Sequence, residues 1–377
     1  MRYGLNASDW LIIGSSLISA ALMVSSALTA RRRSREAKIK VVPEVKVPVS
    51  EVKVKPALPP SMSVEKKISI EDLLGRRLSG LVKGYPDVRG GEFTVEFPSK
   101  IAPVGFSGVW ECCRLGCGGW GCTYKCSSEE GRVVVFKVPR GYEDLVESAV
   151  VPTVSEKLMK RIVDTAETIS RLMHPHILRL LGYSNRAPLL VYEYADYGSL
   201  EWQLRRGWKP SSRDVLLIAI QLGDALRYIH SRGVVHCDIK PSNIFIVDGV
   251  VKLGDFSGLV KLVSQTSSHS KFAYTPGFRA PEQVFSDLRR KAIERGLENR
   301  IDVYQLGNLI LYLLTEETID GEDAVDEGKV RGILGRVEDE RLRELLRSML
   351  ALNPWDRPSM DEVLKELLRI YGESYAS

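Results

Sequence analysis

The sequence lacks the features that mark several classes of protein. Its 31 glycines and 18 prolines follow no collagen-like period. A composition of 44% hydrophobic and 27% charged residues is unlike that of a chain disordered throughout or of a polytopic membrane protein. Much of the modest net charge of +5 comes from arginines at 31, 32, 33 and 35, which have no aromatic residues among them. This cluster favours an anionic membrane surface over nucleic acid as its partner.

One uncharged run, Trp10–Ala30, is long enough to cross a bilayer. Its twenty-one residues correspond to about 30 Å of helix. The alternatives are a cleaved signal peptide and a buried core helix. A signal peptide carries its positive charge before the apolar run, whereas here the arginines follow it. We therefore predict a single-pass transmembrane helix over 10–30, with residues 1–9 outside the cytoplasm and Arg31 onward inside it.

The next part of the chain, residues 31–67, predicts an extended cytoplasmic tether. Prolines at 43, 48, 56, 59 and 60 are incompatible with a helix, and no aromatic residue is present to build a core. Residues 68–108 then contain a candidate short helix with Ile68, Ile70, Leu73 and Leu74, and a candidate strand, Phe93–Phe97.

The strongest candidate for a functional site is a polar stretch between apolar, strand-like runs. It reads His236-Cys237-Asp238-Ile239-Lys240-Pro241-Ser242-Asn243, and a second acidic turn, Asp255-Phe256-Ser257, follows a short apolar hairpin. Asp238 could accept a hydroxyl proton, and Lys240 could neutralise a transferring phosphate. Asn243 and Asp255 could supply hard oxygen ligands to magnesium. The structural alternative is a polar loop that merely closes a β-hairpin.

These residues resemble the catalytic loop of eukaryotic-type protein kinases, H-R-D-L-x-x-x-N, followed by that family's D-F-G. Two positions differ, since Cys237 replaces the arginine and Ser257 replaces the glycine. The run Thr275–Glu282 is similar to the family's T-P-G-Y-x-A-P-E, which small-molecule kinases of related fold lack. The D-I-K-P-x-N spacing around Lys240 resembles the serine/threonine branch.

The resemblance covers about Val109–Tyr371 and implies an α+β, bilobal kinase fold. The N-lobe, an antiparallel sheet with one helix, and the hinge would occupy 109–195, and a mainly helical C-lobe 196–377. Residues 68–108 would extend the N-lobe. The resemblance also implies that the helix starting at Asp302 supports the catalytic loop, and that Arg357 pairs with Glu282.

A glycine-rich turn joins two of three strands predicted at Val109–Leu115, Cys122–Ser127 and Val133–Val138. Glycines allow backbone N–H groups to approach phosphate oxygens, and the strand-to-strand setting excludes a dinucleotide-binding fold, which needs a helix next. The resemblance implies that Lys137 holds the α- and β-phosphates and that backbone groups of Glu193 and Ala195 bind adenine. The nucleotide-binding set predicted around this turn is Leu115, Gly116, Cys117, Gly118, Gly119, Trp120, Gly121 and Thr123.

The partner of Lys137 is not defined by the sequence. The family places a glutamate on the next helix, predicted here over Val154–Met173, but Thr165 stands at the expected distance. Asp164 and Glu167 are rival candidates. The alternative is that both are solvated helix charges and that Lys137 makes its ion pair elsewhere.

Five of the six cysteines lie between 112 and 126, at 112, 113, 117, 122 and 126. A zinc site, a disulfide within the hairpin and reduced thiols are all compatible with this spacing. Zinc sites usually need two pairs separated by a longer loop, and a cytoplasmic domain is normally reducing. We therefore expect reduced, small strand residues.

Together these observations predict a membrane-tethered protein serine/threonine kinase whose kinase domain is cytoplasmic. It would transfer the γ-phosphate of ATP, with Mg²⁺ or Mn²⁺, to hydroxyl groups of protein substrates, with no nucleic-acid partner. Asp238, Lys240 and Asn243 would be catalytic, and Asn243 and Asp255 would hold the metal. The alternative is a pseudokinase, a nucleotide-binding scaffold at the membrane, which Cys237, Ser257 and the missing glutamate favour.

Overall fold

The computed structural model describes residues 69–84, 91–119, 121–150, 153–256 and 277–375, together with the backbone of 260–261. The segments predicted at 1–9, 10–30 and 31–67 lie outside these residues, as does most of the segment that leads to Thr275. Within the described ranges, no helix is both long and apolar enough to cross a membrane.

The N-lobe is built on a six-stranded antiparallel sheet. Its spatial order is β1-β2-β3-β4-β6-β5. Side chains alternate across the sheet, and aromatic residues fill the buried face. Phe136, which stands where the kinase pattern has a small residue, is fully buried and packs edge-to-face on Phe97 and Trp110. The strands are β1 Phe93–Phe97, β2 Gly108–Cys117, β3 Gly121–Ser128, β4 Val133–Pro139, β5 Leu180–Tyr183 and β6 Leu190–Glu193.

The first five helices are divided between the N-lobe and a mainly helical C-lobe. Ser155 caps the N-lobe helix α3 by accepting a hydrogen bond from the Leu158 N–H. Ser211 and Asp214 form a capping box at the start of α5, in which each side chain accepts from the backbone N–H of the other residue. The helices up to this point are α1 Glu71–Leu74, α2 Asp144–Glu147, α3 Glu156–Ser170, α4 Leu200–Arg205 and α5 Ser212–His230.

The C-lobe packs around α5, which is buried along almost its whole length. Its neighbours are α8 and α11. Two small antiparallel sheets, β7 with β10 and β8 with β9, carry the polar loops. The strands are β7 Val234–Val235, β8 Ile244–Val247, β9 Val250–Leu253 and β10 Val260–Lys261, and the helices are α6 Pro281–Val284, α7 Ser286–Glu294, α8 Arg300–Thr315, α9 Glu327–Leu334, α10 Glu340–Met349 and α11 Met360–Tyr375.

The segment 69–84 packs on the C-lobe. Leu73 and Leu78 belong to its hydrophobic core. The Gln221 amide donates to the carbonyls of Leu73 (3.0 Å) and Arg76 (2.9 Å). The prediction that 68–108 as a whole extends the N-lobe is therefore wrong for 69–84. β1, by contrast, adds an edge strand beside β2 of the N-lobe sheet.

Four of the clustered cysteines form two disulfides. They join Cys112 to Cys126 and Cys117 to Cys122. In each bond, a cysteine of β2 lies directly opposite its partner on β3. The expectation of reduced thiols is wrong for these four residues, because facing positions of an antiparallel pair bring side chains together. Cys113 is a buried free thiol.

A buried ion pair ties α6 to the turn before α11. Arg357 donates to the two carboxylate oxygens of Glu282 at 2.6 and 2.8 Å, and their side chains are 0% and 1% exposed. The pairing implied by the kinase resemblance is thus confirmed.

Replacement of Glu282 by alanine leaves the Arg357 guanidinium buried without its anion. We expect Glu282→Ala to lower the free energy of unfolding by about 3 kcal/mol, at the low end for a broken buried pair, because three carbonyls still accept from Arg357. Urea unfolding followed by circular dichroism measures the change. The control is Asp287→Ala, which breaks an exposed pair with Arg290 and should leave the midpoint unchanged. Equal midpoints for the two variants would contradict the assignment.

Candidate active site

One cleft of about 370 Å³ lies between the glycine-rich turn and the catalytic loop. Trp120 is outside the described residues, but every other predicted site residue lines this cleft. They are Leu115, Gly116, Cys117, Gly118, Gly119, Gly121, Thr123, Lys137, Glu193, Ala195, Asp238, Lys240, Asn243 and Asp255.

The floor of the cleft is the catalytic loop, and α8 holds it from below. The buried carboxylate of Asp302 accepts from the backbone N–H groups of His236 (2.9 Å) and Cys237 (2.8 Å). Gln305 on the next turn of α8 accepts from the Ile239 N–H at 3.0 Å. These bonds fix Cys237 in a left-handed conformation, with φ of 66°, which is costly for a residue with a side chain.

Asp238 sits at the centre of a hydrogen-bonded triad. Its Oδ2 accepts from Lys240 Nζ at 2.8 Å and from Asn243 Nδ2 at 2.9 Å. The Asn243 amide also donates to the Asp238 carbonyl at 2.8 Å. The three side chains predicted to be catalytic are therefore in direct contact, and the carboxylate of Asp238 has a fixed direction.

His236 orients the loop. The Asp238 N–H donates to its Nδ1 at 3.3 Å, so Nε2 carries the proton that is shared with the Gly254 carbonyl at 3.0 Å. The ring packs edge-to-face on Phe256. Both ring nitrogens are thus used within the fold, so His236 positions and packs the loop.

Lys137 and Asp255 meet at the inner end of the cleft. Lys137 Nζ lies 2.7 Å from Asp255 Oδ1, and their side chains are 19% and 26% exposed. Asp255 also has a positive φ, 52°. β4 delivers the lysine and the turn after β9 delivers the carboxylate, so these two charges link the lobes.

Neither candidate on α3 pairs with Lys137. Asp164 is exposed and bonded to Lys160 at 3.1 Å, and Glu167 is also exposed. The face of α3 toward Lys137 carries no carboxylate. Leu158, Arg161, Ile162, Thr165 and Ile169 line a smaller cavity there, together with Lys137 and Asp255. The sequence left three alternatives for the partner of Lys137: Asp164, Glu167 or neither. In the structure both acids are surface charges, and Lys137 pairs with Asp255.

The outer part of the cleft is formed by the hinge and apolar side chains. The Glu193 carboxylate is occupied by Lys252 at 2.8 Å and by the Arg179 N–H at 2.7 Å. The Glu193 side chain is therefore not available to a ligand, and the Glu193 N–H already donates to the Arg179 carbonyl at 3.0 Å. Val135, Leu178 and Phe245 supply apolar walls that the sequence analysis did not identify. Each comes from a different element, so no local spacing marks them as a set.

Cys237 lies beneath the cleft as a buried neutral thiol. Burial raises the pKa of the Cys237 thiol well above its ordinary value, and the nearby Asp302 carboxylate adds to the effect. The position that carries an arginine cation in the kinase pattern is uncharged here.

Comparison with known proteins agrees with this geometry. A family model described as protein kinase domain matches residues 111–368. Human serine/threonine-protein kinase Nek2 is 30% identical over 280 residues, which is 67% of this chain and 58% of Nek2. Rat interferon-induced, double-stranded RNA-activated protein kinase is 31% identical over 190 residues, 49% of this chain and 36% of the relative. Arabidopsis thaliana LRR receptor-like serine/threonine-protein kinase GSO1 is 28% identical over 309 residues, which is 70% of this chain and 23% of GSO1.

The chain thus spans less than two thirds of the length of these relatives. The matched region coincides with the two lobes described above and includes the glycine-rich turn, the catalytic loop and Arg357. The antiparallel N-lobe sheet and the helical C-lobe are those of a bilobal kinase. The chain therefore belongs to the protein kinase family.

Proposed function

We propose that this protein is a serine/threonine kinase that transfers the γ-phosphate of ATP to hydroxyl groups of protein substrates. The observation that carries the proposal is the meeting of Asp238, Lys240, Asn243, Lys137 and Asp255 in one cleft beneath a glycine-rich turn. Relatives named as serine/threonine kinases favour that specificity. Phosphoryl transfer needs mostly positioning and charge stabilisation, which this arrangement supplies.

The catalytic loop would handle the incoming hydroxyl group. Asp238 orients the hydroxyl and accepts its proton as the oxygen attacks the γ-phosphorus. Lys240, now 2.8 Å from Asp238, then lies close enough to the transferring group to neutralise its charge. Asn243 holds the Asp238 carboxylate in place from the other side.

The nucleotide would lie between the hinge and the glycine-rich turn. Backbone groups of Glu193 and Ala195 bind adenine, and the apolar walls of the outer cleft enclose its ring. Lys137 binds the α- and β-phosphates, and the glycine N–H groups of 116–121 face the phosphate oxygens. Because Lys137 already contacts Asp255, the lysine is held at the phosphate end of the cleft.

The donor set fits a hard divalent cation, Mg²⁺ or Mn²⁺. Asp255 offers carboxylate oxygens, and Asn243 offers its amide oxygen, because its amide nitrogen is used for Asp238. When bound, the metal ion would neutralise charge on the phosphates.

We further propose that the kinase is held at the cytoplasmic face of a membrane. The domain boundaries are a helix over 10–30, a tether over 31–67 and the two lobes, with the hinge ending at 195. The uncharged run, the arginines that follow it and the receptor-like name of one relative favour this arrangement.

Asp238→Asn should abolish phosphate transfer and leave ATP binding intact. The amide keeps the shape of the side chain but cannot accept the hydroxyl proton, so we expect a loss of at least about 100-fold in kcat. The assay uses radiolabelled ATP with magnesium or manganese and a generic basic protein, and equilibrium dialysis measures ATP affinity. The exposed Asp287→Asn is the matched control.

Near-full activity of Asp238→Asn would refute its assignment. If the unmodified chain bound ATP but showed neither autophosphorylation nor transfer, the scaffold role of a pseudokinase would replace the proposal.

The double variant Asp164→Ala/Glu167→Ala should retain activity within about twofold, because neither carboxylate faces Lys137 and exposed charges contribute little. Lys137→Met should lose at least about tenfold in kcat/KM, because the phosphates lose their cation. Steady-state kinetics with ATP varied separates the two cases. A double variant as inactive as Lys137→Met would show that one of the acids pairs with Lys137 in the working enzyme.

Phosphorylation of the hydroxyls between Ser264 and Ser270 should not be required for activity. The usual cationic partner of such a phosphate is absent, since Cys237 is a buried neutral thiol. Activity is compared before and after complete phosphatase treatment, with removal of phosphate checked by mass spectrometry. A loss greater than about tenfold would overturn this expectation.

A further inference from the structure

The glycine-rich turn is closed by a disulfide at its base. Cys117 is the last residue of β2, and Cys122 is the second residue of β3. Cys117 itself lines the cleft with Gly118 and Gly121. The bond therefore lies within the part of the protein that faces the nucleotide.

The two ends of the turn are held differently by the rest of the sheet. Gly121 is anchored on β4, where it faces Pro139, and a Cβ at 121 would lie 2.0 Å from the Val138 carbonyl oxygen. The end of β2 is held less well, because its register with β3 shifts between Arg114 and Gly116. The Cys117–Cys122 bond ties this irregular end to the anchored one.

The hairpin has a second disulfide, Cys112–Cys126, which is less accessible to solvent than Cys117–Cys122. Cys112 and Cys126 are 1% and 0% exposed, and both lie in the N-lobe core. Cys117 is exposed to solvent, whereas Cys122 is buried. A dithiol in solution can therefore reach one disulfide of this hairpin and not the other.

We infer that the Cys117–Cys122 disulfide is a redox switch that sets the affinity of the glycine-rich turn for ATP. The inference rests on the proposed function of this cleft. In the oxidised state the turn is constrained, with the Gly118 N–H bonded to the Gly121 carbonyl at 2.8 Å, and ATP binds without ordering it. In the reduced state the end of β2 separates more easily from β3. ATP binding must then order the turn, and this entropic cost lowers the affinity for ATP.

The redox step balances with a dithiol as the two-electron donor. Its thiolate attacks the exposed Sγ of Cys117 and the bond to Cys122 breaks. The second thiol of the reductant then displaces Cys117, which leaves two protein thiols and an oxidised cyclic dithiol. The released Cys122 thiolate takes up a proton from solvent. The resulting thiol can donate a hydrogen bond to Glu143, whose Oε1 lies 3.2 Å from the Cys122 sulfur. The reduced state thus has a partner in place, and the reaction can run in both directions.

The test compares the full chain with and without a small dithiol such as dithiothreitol. Alkylation and mass spectrometry should find Cys117 and Cys122 labelled before Cys112 and Cys126. Equilibrium dialysis with radiolabelled ATP should show about tenfold weaker binding after reduction, and KM for ATP should rise in parallel, with kcat changed less than about twofold. Reoxidation should restore the affinity.

Two variants locate the effect. Cys117→Ser/Cys122→Ser should bind ATP as the reduced protein does and should not respond to dithiothreitol. Cys113→Ser, which removes the buried free thiol of the same strand, should keep the full response. Equal ATP affinity in both redox states, or a response that persists in the double variant, would overturn the inference. Absence of ATP binding in either state would instead refute the proposed function and the switch with it.

Discussion

The candidate active site depends on the hydrogen bonds of the buried Asp302 carboxylate. This carboxylate is 0% exposed and accepts from two consecutive backbone N–H groups of the catalytic loop and from His230 Nε2 at 2.8 Å. A buried carboxylate is costly unless its oxygens are hydrogen bonded, and three donors meet that requirement. These bonds fix the catalytic loop to α8, whose buried residues belong to the core of the C-lobe. The strained conformation of Cys237 and the direction of Asp238 both follow from this support.

Charge in the cleft is arranged as two pairs. Lys137 contacts Asp255 at the inner end, and Lys240 contacts Asp238 at the loop. Each lysine is less than one fifth exposed, at 19% and 18%, so these pairs are screened less than surface pairs. A phosphate chain with its cation would compete for the same partners. The cleft therefore holds its cations in place before the nucleotide arrives, which lowers the reorganisation needed on binding.

The sequence predicts local structure well where one element determines it. The strand at Phe93–Phe97 has the predicted bounds, and the predicted apolar hairpin before Asp255 is present as β8 and β9, because apolar runs and turn residues fix these elements locally. The candidate catalytic residues were also predicted from their chemistry and spacing, and the structure brings them together in one cleft. The position of 69–84 was not predictable in this way, because Leu73 and Leu78 give the same pattern whichever lobe they pack on. The disulfides could have been inferred, since both pairs lie symmetrically about the turn, but only once a one-residue shift at Leu115 is allowed.

The face of α3 constrains how such a kinase can be controlled. Where a helix glutamate holds the lysine, rotation of that helix can make or break the pair. In this protein the face of α3 toward Lys137 presents Leu158, Ile162 and Thr165, and the lysine is held by Asp255 from the other lobe. Movement of α3 alone would leave that ion pair in place. Likewise, position 237 carries a neutral thiol, so it offers no cation to bind a phosphorylated segment. Control of activity is then expected at parts of the cleft that can still change, which are the distance between the lobes and the shape of the glycine-rich turn.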